Sequence, residues 1–480
     1  MSSLSERVLS ILKAWGAHAT SFQVLEPGYT YWFDDSVKAP GAFVAYVRSG
    51  SYRVAAGAPT APHDALGAVA ARFIDDAKSH GEKVIFFSVD GAFLSALNDL
   101  EEPPAVDSVS VGSLPEWDPR LYHVDGGGRA TVRAQINRAR NKGVRVRAVG
   151  VEELANAPGP LRAEIESVLS RWLDDRRMSV MRFLVDLQPF LHPEERRYYV
   201  AERDDRAVGF LAAIPVFARS GWFFEDVIRA PDAPNGTADL LVHSAMSDAR
   251  ARGEEYVTLG LAPLADIPAE PGPHPFIRKI LSWSYSRLGP FYHFAGVQAF
   301  KARFHPDRWV PQYLVQSPPS LGPGTFHAVM RAFAGQGLLA FALETSQRWL
   351  QRIRSGVWAA WLCTLAACLV PWTLLLSQVD GAMWFGDASI QTGWVVFDTW
   401  MIVALLTLAF LVTRGHWLAR PAAICLSGGT LTDLVLTTAQ AMHLHHDVEG
   451  WPRLFVMAGI LGPALATIFL GLLSVALARR

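Results

Sequence analysis

Residues 226–261 read DVIRAPDAPNGTADLLVHSAMSDARARGEEYVTLGL and contain, in order, a strand end, a turn, a helix and a second strand. The first strand is the aromatic-rich run GWFFEDVI, which the Pro and Gly residues of RAPDAPNG interrupt. Apolar residues at helical spacing follow in TADLLVHSAMSDARARG, and YVTLGL is a short apolar run typical of a buried strand. This order predicts an α/β unit with a mixed sheet.

The same alternation of strands and helices is predicted upstream, between residues 20 and 150. AFVAYVRSGSYRVAAG predicts a hairpin, DALGAVAARFIDDAKSHG an amphipathic helix and KVIFFSV a buried strand. The run DDAKSHGEKVIFFSV is echoed later by ARARGEEYVTLGL, which indicates a duplicated module. We therefore predict two similar α/β domains, 1–150 and 151–320, with a hinge near residues 148–160, where AVGVEELANAPGP ends in Pro and Gly.

The last part of the chain has the composition of a membrane domain. Four mainly apolar stretches near 357–376, 394–413, 421–442 and 454–478 each have roughly twenty residues, enough to cross a bilayer as a helix. We predict a linker or juxtamembrane helix at 321–356 and a four-helix transmembrane domain at 357–480.

The charges that flank the four stretches separate by side, with Arg453 the only exception. The basic residues on one side are Arg348, Arg352, Arg354, Arg414, Arg420, Arg479 and Arg480, and the acids on the other are Asp380, Asp387, Asp447 and Glu449. Because Lys and Arg favour the cytoplasmic side, we expect the α/β domains and both termini to face the cytoplasm of a bacterial inner membrane.

Cysteine usage limits the chemistry of the α/β part. The chain has 480 residues and a formal net charge of −1, and its three cysteines, Cys363, Cys368 and Cys425, all lie in the apolar C-terminal part. The α/β domains therefore have no thiol nucleophile, no disulfide and no cysteine-bound metal.

Two acids, Asp398 and Asp433, fall within the predicted spans. An acid in the bilayer is costly enough to raise a functional question, although packing against a Ser, Thr or Gly of a neighbouring helix is the simpler interpretation. The third span ends in HLHHD, with His443, His445 and His446. A polar helix end accounts for this run more simply than a metal site does.

The first group of candidate site residues surrounds the turn after GWFFEDVI. Asp226 and Arg229 are three residues apart at the strand end. The turn can direct both into one pocket, or the two can form a structural salt bridge. Asn235 or Thr237 can cap the next helix, whose first N–H groups can hold an anion or a polar oxygen. Asp239, in the first helical turn, belongs to the site or complements the helix dipole.

A second group lies in AFKARFHPDRW. On a strand, Lys301 and Arg303 project from one side, and two neighbouring cations suit a phosphodiester. A solvated edge remains the simpler interpretation of a K-x-R pair by itself.

A third group is the basic run ATVRAQINRARNKGVRVR. From Arg129, which directly precedes it, to Arg147 there are seven basic residues and no acid. Val132, Ile136 and Ala139 form the buried stripe of a predicted helix. Its exposed flanks carry Arg133, Arg138, Arg140 and Lys142. A basic surface of this kind suits RNA or anionic lipid, unless it is only a solvated helix face.

This order of elements resembles the GNAT acyltransferase fold, present twice. In that fold a Gly-rich loop at the start of the helix after the fourth strand holds a CoA donor. The corresponding stretch here, RAPDAPNGTAD, has one glycine and no G-x-G pattern. We therefore expect an activated donor other than CoA.

Together, the motifs resemble the cytoplasmic synthase domain of the phosphatidylglycerol lysyltransferase family (multiple peptide resistance factor type), over residues 20–316. The matching motifs are D-x-x-R at 226–229, DAPNGTxD at 232–239, LGLAPL at 259–264, F-x-G-x-x-x-F-K-x-[KR]-F at 294–304 and W-x-P-x-Y-L at 309–314. The resemblance implies tandem GNAT-like domains that transfer an amino acid from aminoacyl-tRNA to a glycerol hydroxyl of the lipid. It implies tRNA, phospholipid and the bilayer as partners, and neither a cofactor nor a metal.

The chain departs from the family's well-known members in two respects. In those members a large flippase and a helical bundle precede the synthase domain, whereas a four-helix anchor follows it here. The Glu of the family's F-E-G-L motif is Ala295. Neither a lipid-flipping function nor a role for that carboxylate is therefore implied.

The matched residues suit a transesterification, in which the enzyme positions two large substrates and stabilises the charge of the tetrahedral intermediate. We predict that Asp226 binds the acceptor hydroxyl or the α-ammonium group, and that Arg229 orders this carboxylate or binds the lipid phosphate. Asn235 is a candidate for the oxyanion contact. We count Asp239 with these catalytic residues.

The remaining predictions concern substrate binding. Lys301 and Arg303 are expected to bind a phosphate of the lipid or of the tRNA. The backbone of Gly260 and Ala262 is a further candidate for oxyanion contacts. The basic helix around Arg138 is expected to bind the tRNA acceptor arm.

Three other functions remain open from the sequence. The chain can be a GNAT-type N-acyltransferase that uses acyl-CoA or an acyl carrier, although the missing Gly-rich loop disfavours it. Peptidoglycan aminoacyltransferases also use tRNA and tandem GNAT-like domains, but they lack the FKARFHP-type ending. The third is a membrane-tethered protein that binds RNA or lipid without catalysis.

Overall fold

The computed structural model describes residues 3–155, 159–175, 183–184, 187–263, 294–335, 345–347, 349–351, 353–444 and 450–478. The chain forms two compact units, Met1–Phe341 and Ala342–Arg480. The first unit is α/β and the second is helical, as the sequence predicts.

One mixed sheet runs through the first unit, in the order β1-β2-β3-β4-β12-β5-β10-β9-β8-β7-β6, with β11 paired to β5. Its strands are β1 (Thr30–Asp34), β2 (Ala42–Ser49), β3 (Tyr52–Ala56), β4 (Lys83–Val89), β5 (Asp107–Trp117), β6 (Arg145–Val149), β7 (Arg197–Arg203), β8 (Arg206–Val216), β9 (Gly221–Arg229), β10 (Tyr256–Thr258), β11 (Ala262–Pro263) and β12 (Arg308–Ser317).

Helices pack on both faces of this sheet. They are α1 (Ser3–Trp15), α2 (Leu66–Ser79), α3 (Gly91–Asn98), α4 (Ala130–Asn141), α5 (Val151–Ala155), α6 (Pro160–Asp174), α7 (Thr237–Ala251), α8 (Phe294–Ala302) and α9 (Pro323–Ala334). The predicted hairpin is β2–β3, and the predicted helices and strands between residues 42 and 89 and between 160 and 258 are confirmed.

The two halves of the sequence share this sheet. Strand β12, from the second half, lies between β4 and β5 of the first half and is antiparallel to both. The sheet is therefore continuous across the boundary predicted near residue 150. The sequence pattern carries no signal for this strand exchange, because β12 has the same apolar composition wherever it inserts.

The parallel strands β9 and β10 separate after a short paired stretch, and we call the place where they separate the opening. They pair only from Gly221 with Tyr256 to Phe223 with Thr258, after which β9 continues to Arg229 without β10 beside it. The chain turns away at Gly260, which has a φ of 76°. A Cβ atom there would lie 2.6 Å from the ring of Phe223, so only glycine fits this turn.

The second unit contains α10 (Ser355–Gln378), α11 (Gly381–Phe385), α12 (Ala388–Thr413), α13 (Ala419–Leu444) and α14 (Trp451–Ala476). Four of its helices, all but α11, are long and apolar enough to cross a membrane, in agreement with the four predicted spans. The predicted His cluster is only partly described, since His445 and His446 lie outside the described residues.

Candidate active site

The start of α7 lies against α4. Gly236 precedes α7 with a φ of 93°, and a Cβ atom on it would lie 2.0 Å from the carbonyl oxygen of Gln135 in α4. No side chain caps the helix, because Asn235 is exposed and the Thr237 hydroxyl donates to the carbonyl of Pro234 at 2.7 Å. The predicted cap is therefore wrong: the glycine turn permits close helix packing instead.

Asp239, in the first turn of α7, forms an ion pair with Arg303. The two side chains are 2.5 Å apart and are 7% and 28% exposed, respectively. Burial raises the pKa of the Asp239 carboxyl, and the hydrogen bond from Arg303 offsets part of that rise. The structure thus joins two of the predicted site residues that are 64 positions apart in sequence.

Lys301 lies at the opening between β9 and β10. Its Nζ atom donates to the carbonyl oxygens of Gly260 and Leu261, at 2.8 Å each, and the residue is only 8% exposed. Burial lowers the pKa of the Lys301 amine to about 7. A lysine of this kind exchanges protons near neutral pH, unlike a surface lysine.

The strand predicted for Lys301 and Arg303 is wrong. Lys301 occupies the last turn of α8, and Arg303 lies in the turn that follows it. Because the backbone turns between them, the two cations reach different partners. The aromatic neighbours hold this turn in place. Phe304 is fully buried, and its ring meets that of Phe300 edge-on, with 5.4 Å between the ring centroids.

Asp226 and Arg229 lie on opposite faces of β9. Asp226 is 5% exposed and lies on the same face of β9 as Ile228. Ile228 packs with Tyr198 of β7, so this is the face that α6 covers. Arg229 lies on the α7 side, where its charge acts on Asp239. The structure therefore does not direct Asp226 and Arg229 into one pocket, because strand alternation continues to the end of β9.

The Arg229 guanidinium makes only long contacts within the described part of the chain. Its Nη1 atom is 3.5 Å from the carbonyl oxygen of Ala230 and 3.4 Å from that of Ala233. A guanidinium has five N–H donors, and these two long contacts involve only its Nη1 atom.

Sequence reasoning did not identify a buried polar cluster on the α6 side. A bulge makes Glu225 the extra residue of β9, next to Asp226. Glu225 pairs with Arg196 at 2.6 Å, with side chains that are 6% and 1% exposed, and accepts a hydrogen bond from Gln23 at 2.7 Å. The adjacent acids in the run FFED are the only signal for this cluster, since Gln23 is 202 positions away.

The predicted backbone oxyanion contacts are only partly available. The Gly260 N–H donates to the Thr258 hydroxyl at 3.0 Å, and the Gly260 carbonyl accepts from Lys301. Ala262 pairs with Ser113 of β5. Leu264, the last residue of LGLAPL, lies outside the described residues.

The predicted basic helix is α4, and its buried stripe of Val132, Ile136 and Ala139 is confirmed. Arg133 is half-buried and donates to loop carbonyls, including that of Val124 at 2.7 Å. It therefore stabilises the preceding loop. The exposed cations of this helix and its C-terminal end are Arg138, Arg140 and Lys142.

Residues 9–316 match the family model described as phosphatidylglycerol lysyltransferase, C-terminal. The chain belongs to this family. The family is described as a lysyltransferase, which agrees with the class of protein that the sequence predicts. The chain is 24% identical over 332 residues to an uncharacterised protein of Corynebacterium glutamicum, covering 66% of this chain and 40% of the relative. It is 21% identical over 310 residues to the phosphatidylglycerol lysyltransferase of Bacillus subtilis, covering 64% of this chain and 34% of that enzyme. The chain thus spans less than half the length of these curated relatives.

Two solved structures share the fold of the first unit. One is the C-terminal domain of a lysylphosphatidylglycerol synthetase homologue from Agrobacterium fabrum, with a TM-score of 0.57 and 24% identity, covering 69% of this chain and 96% of that one. The other is L-PGS from Bacillus licheniformis, with a TM-score of 0.56 and 19% identity, covering 69% of this chain and 97% of that one. These similarities support the fold.

Proposed function

We propose that this chain transfers an aminoacyl group from aminoacyl-tRNA to a hydroxyl group of phosphatidylglycerol. Family membership supports aminoacyl transfer to this lipid. The single observation that supports the chemistry in this chain is Lys301, whose buried amine lies at the opening between β9 and β10 and has a pKa near neutrality. The donor and the site roles given below are part of the proposal.

The proposed reaction is an ester exchange with a balanced proton transfer. The lipid hydroxyl oxygen attacks the carbonyl carbon of the aminoacyl ester, and its proton passes to the neutral amine of Lys301. The tetrahedral intermediate then breaks its bond to the ribose oxygen of the tRNA, and Lys301 returns the proton to that oxygen. A neutral amine has two N–H donors, which Gly260 and Leu261 accept, and a lone pair that remains free to take up the proton.

The α7 side supplies the charge for binding. Arg229, whose guanidinium makes only long contacts with described residues, is suited to a phosphate of the lipid or of the tRNA. Arg303 is already neutralised by Asp239, so we assign this pair to positioning the end of α8 and hence Lys301. Asp226, on the α6 side, remains a candidate for the α-ammonium group of the donor.

The proposed tRNA surface is the exposed side of α4. Arg138, Arg140 and Lys142 form a surface of one sign, and α4 packs against α7 beside Asp239. A phosphate backbone along α4 would therefore bring the acceptor end near the opening. We further propose that the four-helix unit keeps the enzyme at the membrane that contains its lipid substrate. The arginines that flank its spans favour a location of the active site on the cytoplasmic side of the membrane.

The packing of Gly236 argues against an acyl-CoA donor. A pyrophosphate would need the N–H groups at the start of α7, but the Gln135 carbonyl of α4 lies against that turn. Close packing of the two helices at Gly236 therefore disfavours a phosphate-binding loop at this turn.

The test uses the full-length protein in phosphatidylglycerol vesicles, with a panel of radiolabelled aminoacyl-tRNAs followed by lipid extraction. We expect label in a lipid product for at least one amino acid, lost after RNase treatment and in Lys301→Met. The control variant is Lys78→Met, since Lys78 is an exposed lysine of α2. Label that arrives only from acyl-CoA would refute the proposal. Binding of tRNA and lipid without any transfer would favour the non-enzymatic alternative.

A further inference from the structure

The four-helix unit contains a partly open cavity of about 300 Å³, and Asp398 of α12 and Asp433 of α13 are among the residues that line it. Asp398 follows the start of α12 by ten residues, and Asp433 precedes the end of α13 by eleven. These counts correspond to roughly 15 Å of helix, which is half the ~30 Å hydrocarbon core. The two carboxyl groups therefore lie at the same depth, near the middle of a bilayer.

The cavity contains an unsatisfied acceptor. Asp398 is 5% exposed, and its Oδ2 atom has no hydrogen-bond partner among the described residues. Asp433 accepts a hydrogen bond from the Thr437 hydroxyl at 2.9 Å. The described residues that line the cavity include no Lys, Arg or His. A buried carboxyl group is neutralised by a proton or by a cationic partner, and the described lining residues supply no such partner. A cationic ligand that enters the cavity would supply it.

Aromatic rings form another part of the wall. Phe455 stacks with Trp372 at 4.9 Å and meets Trp384 edge-on at 4.8 Å, and all three rings line the cavity. Aromatic faces attract organic ammonium groups, and these rings line the same cavity as the two carboxyl groups. A metal ion fits less well, since Ca²⁺ requires about six to eight oxygen ligands and this cavity is far larger than one ion.

We propose that this cavity binds the ammonium headgroup of a cationic lipid, with Asp398 and Asp433 as its anionic partners and the apolar wall against the rest of the lipid. The carboxylates and rings define the ligand class independently of the transfer reaction. The choice of an aminoacyl lipid rests on the proposed function, because an amino acid esterified to phosphatidylglycerol gives a lipid with a primary ammonium group. The four helices would then hold the reaction product in addition to anchoring the enzyme.

The experiment measures lipid binding to the full-length protein in detergent by native mass spectrometry. The probes are lysyl-phosphatidylglycerol and its Nα,Nε-diacetylated form, which has the same acyl chains but no ammonium group. We expect the wild type to bind the ammonium form about tenfold or more tightly, as charge-assisted hydrogen bonds allow. The difference should disappear in Asp398→Asn/Asp433→Asn, which keeps the shape of the cavity and removes its charge. A second variant, Trp384→Leu, keeps both carboxylates and should reduce the difference.

Equal binding of the two probes to the wild type would overturn the inference, and it is the result expected if the carboxyl groups hold only protons. A preference that persists in the double Asn variant would place the lipid elsewhere and would also overturn it. Phosphatidylethanolamine, as a third probe, distinguishes a general site for ammonium lipids from one for aminoacyl lipids. The transfer assay is scored separately: if the wild type prefers the ammonium lipid but transfers no amino acid, the proposed reaction fails and the cavity assignment stands.

Discussion

The side-chain amine of Lys301 and the carbonyl oxygen of Gly260 are 2.8 Å apart, although 41 positions separate the residues in sequence. This contact fixes the end of α8 at the point where the chain after β10 leaves β9. Because Gly260 turns there with a positive φ against the ring of Phe223, the carbonyl acceptors have little freedom to move. The geometry of the opening and the protonation of Lys301 are therefore coupled.

The first prediction concerns the pH dependence of transfer. Because Lys301 must be neutral to accept a proton, activity in the wild type should rise with pH through the lysine pKa of about 7 and then level off. Lys301→Met should lower kcat by about 10²- to 10⁴-fold and remove this rise. Initial rates of lipid labelling between pH 5.5 and 9 provide the measurement. A mutant with the wild-type rise would assign the ionisation to another group.

The same amine should affect stability in a defined pH window. Between pH 7 and 10.5, the unfolded chain binds a proton at Lys301 that the folded chain does not, since burial lowers the pKa from 10.5 to about 7. The free energy of unfolding should therefore increase with pH across this window, relative to Lys301→Met. Thermal unfolding of both proteins at pH 6, 7, 8 and 9 measures the difference. A difference that is constant with pH would contradict the lowered pKa.

Much of this fold could be predicted from the sequence, for an identifiable reason. Strands and helices such as β4 and α2 follow from local apolar periodicity, and the membrane helices follow from length and hydropathy. The insertion of β12 between β4 and β5 could not be predicted, because strand pairing across two halves of a chain leaves no local pattern.

The candidate site was predicted as a set of residue types but not as a geometry. The family motifs identify Asp239, Lys301 and Arg303 as site residues. The sequence pattern, however, predicts a strand for the two cations, and the structure has a helix end and a turn there. Whether KARF continues a helix or forms a strand depends on tertiary contacts, here the burial of Phe304. Similarly, the bulge at Glu225 and its pairing with Arg196 depend on distant segments.

A double-mutant cycle should detect the Asp239–Arg303 pair. Either single change, Asp239→Asn or Arg303→Met, leaves a partly buried charge without its partner, whereas the double mutant removes both. We expect a coupling energy of about 1–3 kcal/mol in the free energy of unfolding, reduced by the partial exposure of Arg303. The exposed pair Arg162 and Glu166 is the control, with an expected coupling below ~0.5 kcal/mol. Equal coupling in the two pairs would argue against a positioning role for Asp239.

Gly236→Ala should be strongly destabilising, because both the backbone and the neighbouring helix exclude a side chain. The positive φ alone costs about 1 kcal/mol, and the contact with the Gln135 carbonyl requires α4 to move. Gly253→Ala is the matched control, since Gly253 has a φ of 70° but no atom within 4 Å of the added Cβ. We expect a loss of about 1 kcal/mol for the control and at least twice that for Gly236→Ala, measured by urea or thermal unfolding. Equal losses would show that α4 does not pack tightly at this turn.

The last prediction concerns the proposed tRNA surface. Changing Arg138, Arg140 and Lys142 to Gln removes three exposed cations from α4 and its C-terminal end, so tRNA binding should weaken and depend less on salt. The slope of log affinity against log salt concentration should decrease by about 2–3, at roughly 0.7–0.9 per phosphate contact. The control is Lys38→Gln/Lys78→Gln/Arg206→Gln, which makes the same charge change at exposed positions outside α4. Filter retention at 50–300 mM salt measures the binding. An equal decrease of the slope in both triple variants would show that net charge attracts the tRNA and that α4 is not its binding surface. A decrease confined to the α4 variant, with unchanged transfer at saturating tRNA, would assign this helix to substrate capture and leave the chemistry to the opening between β9 and β10.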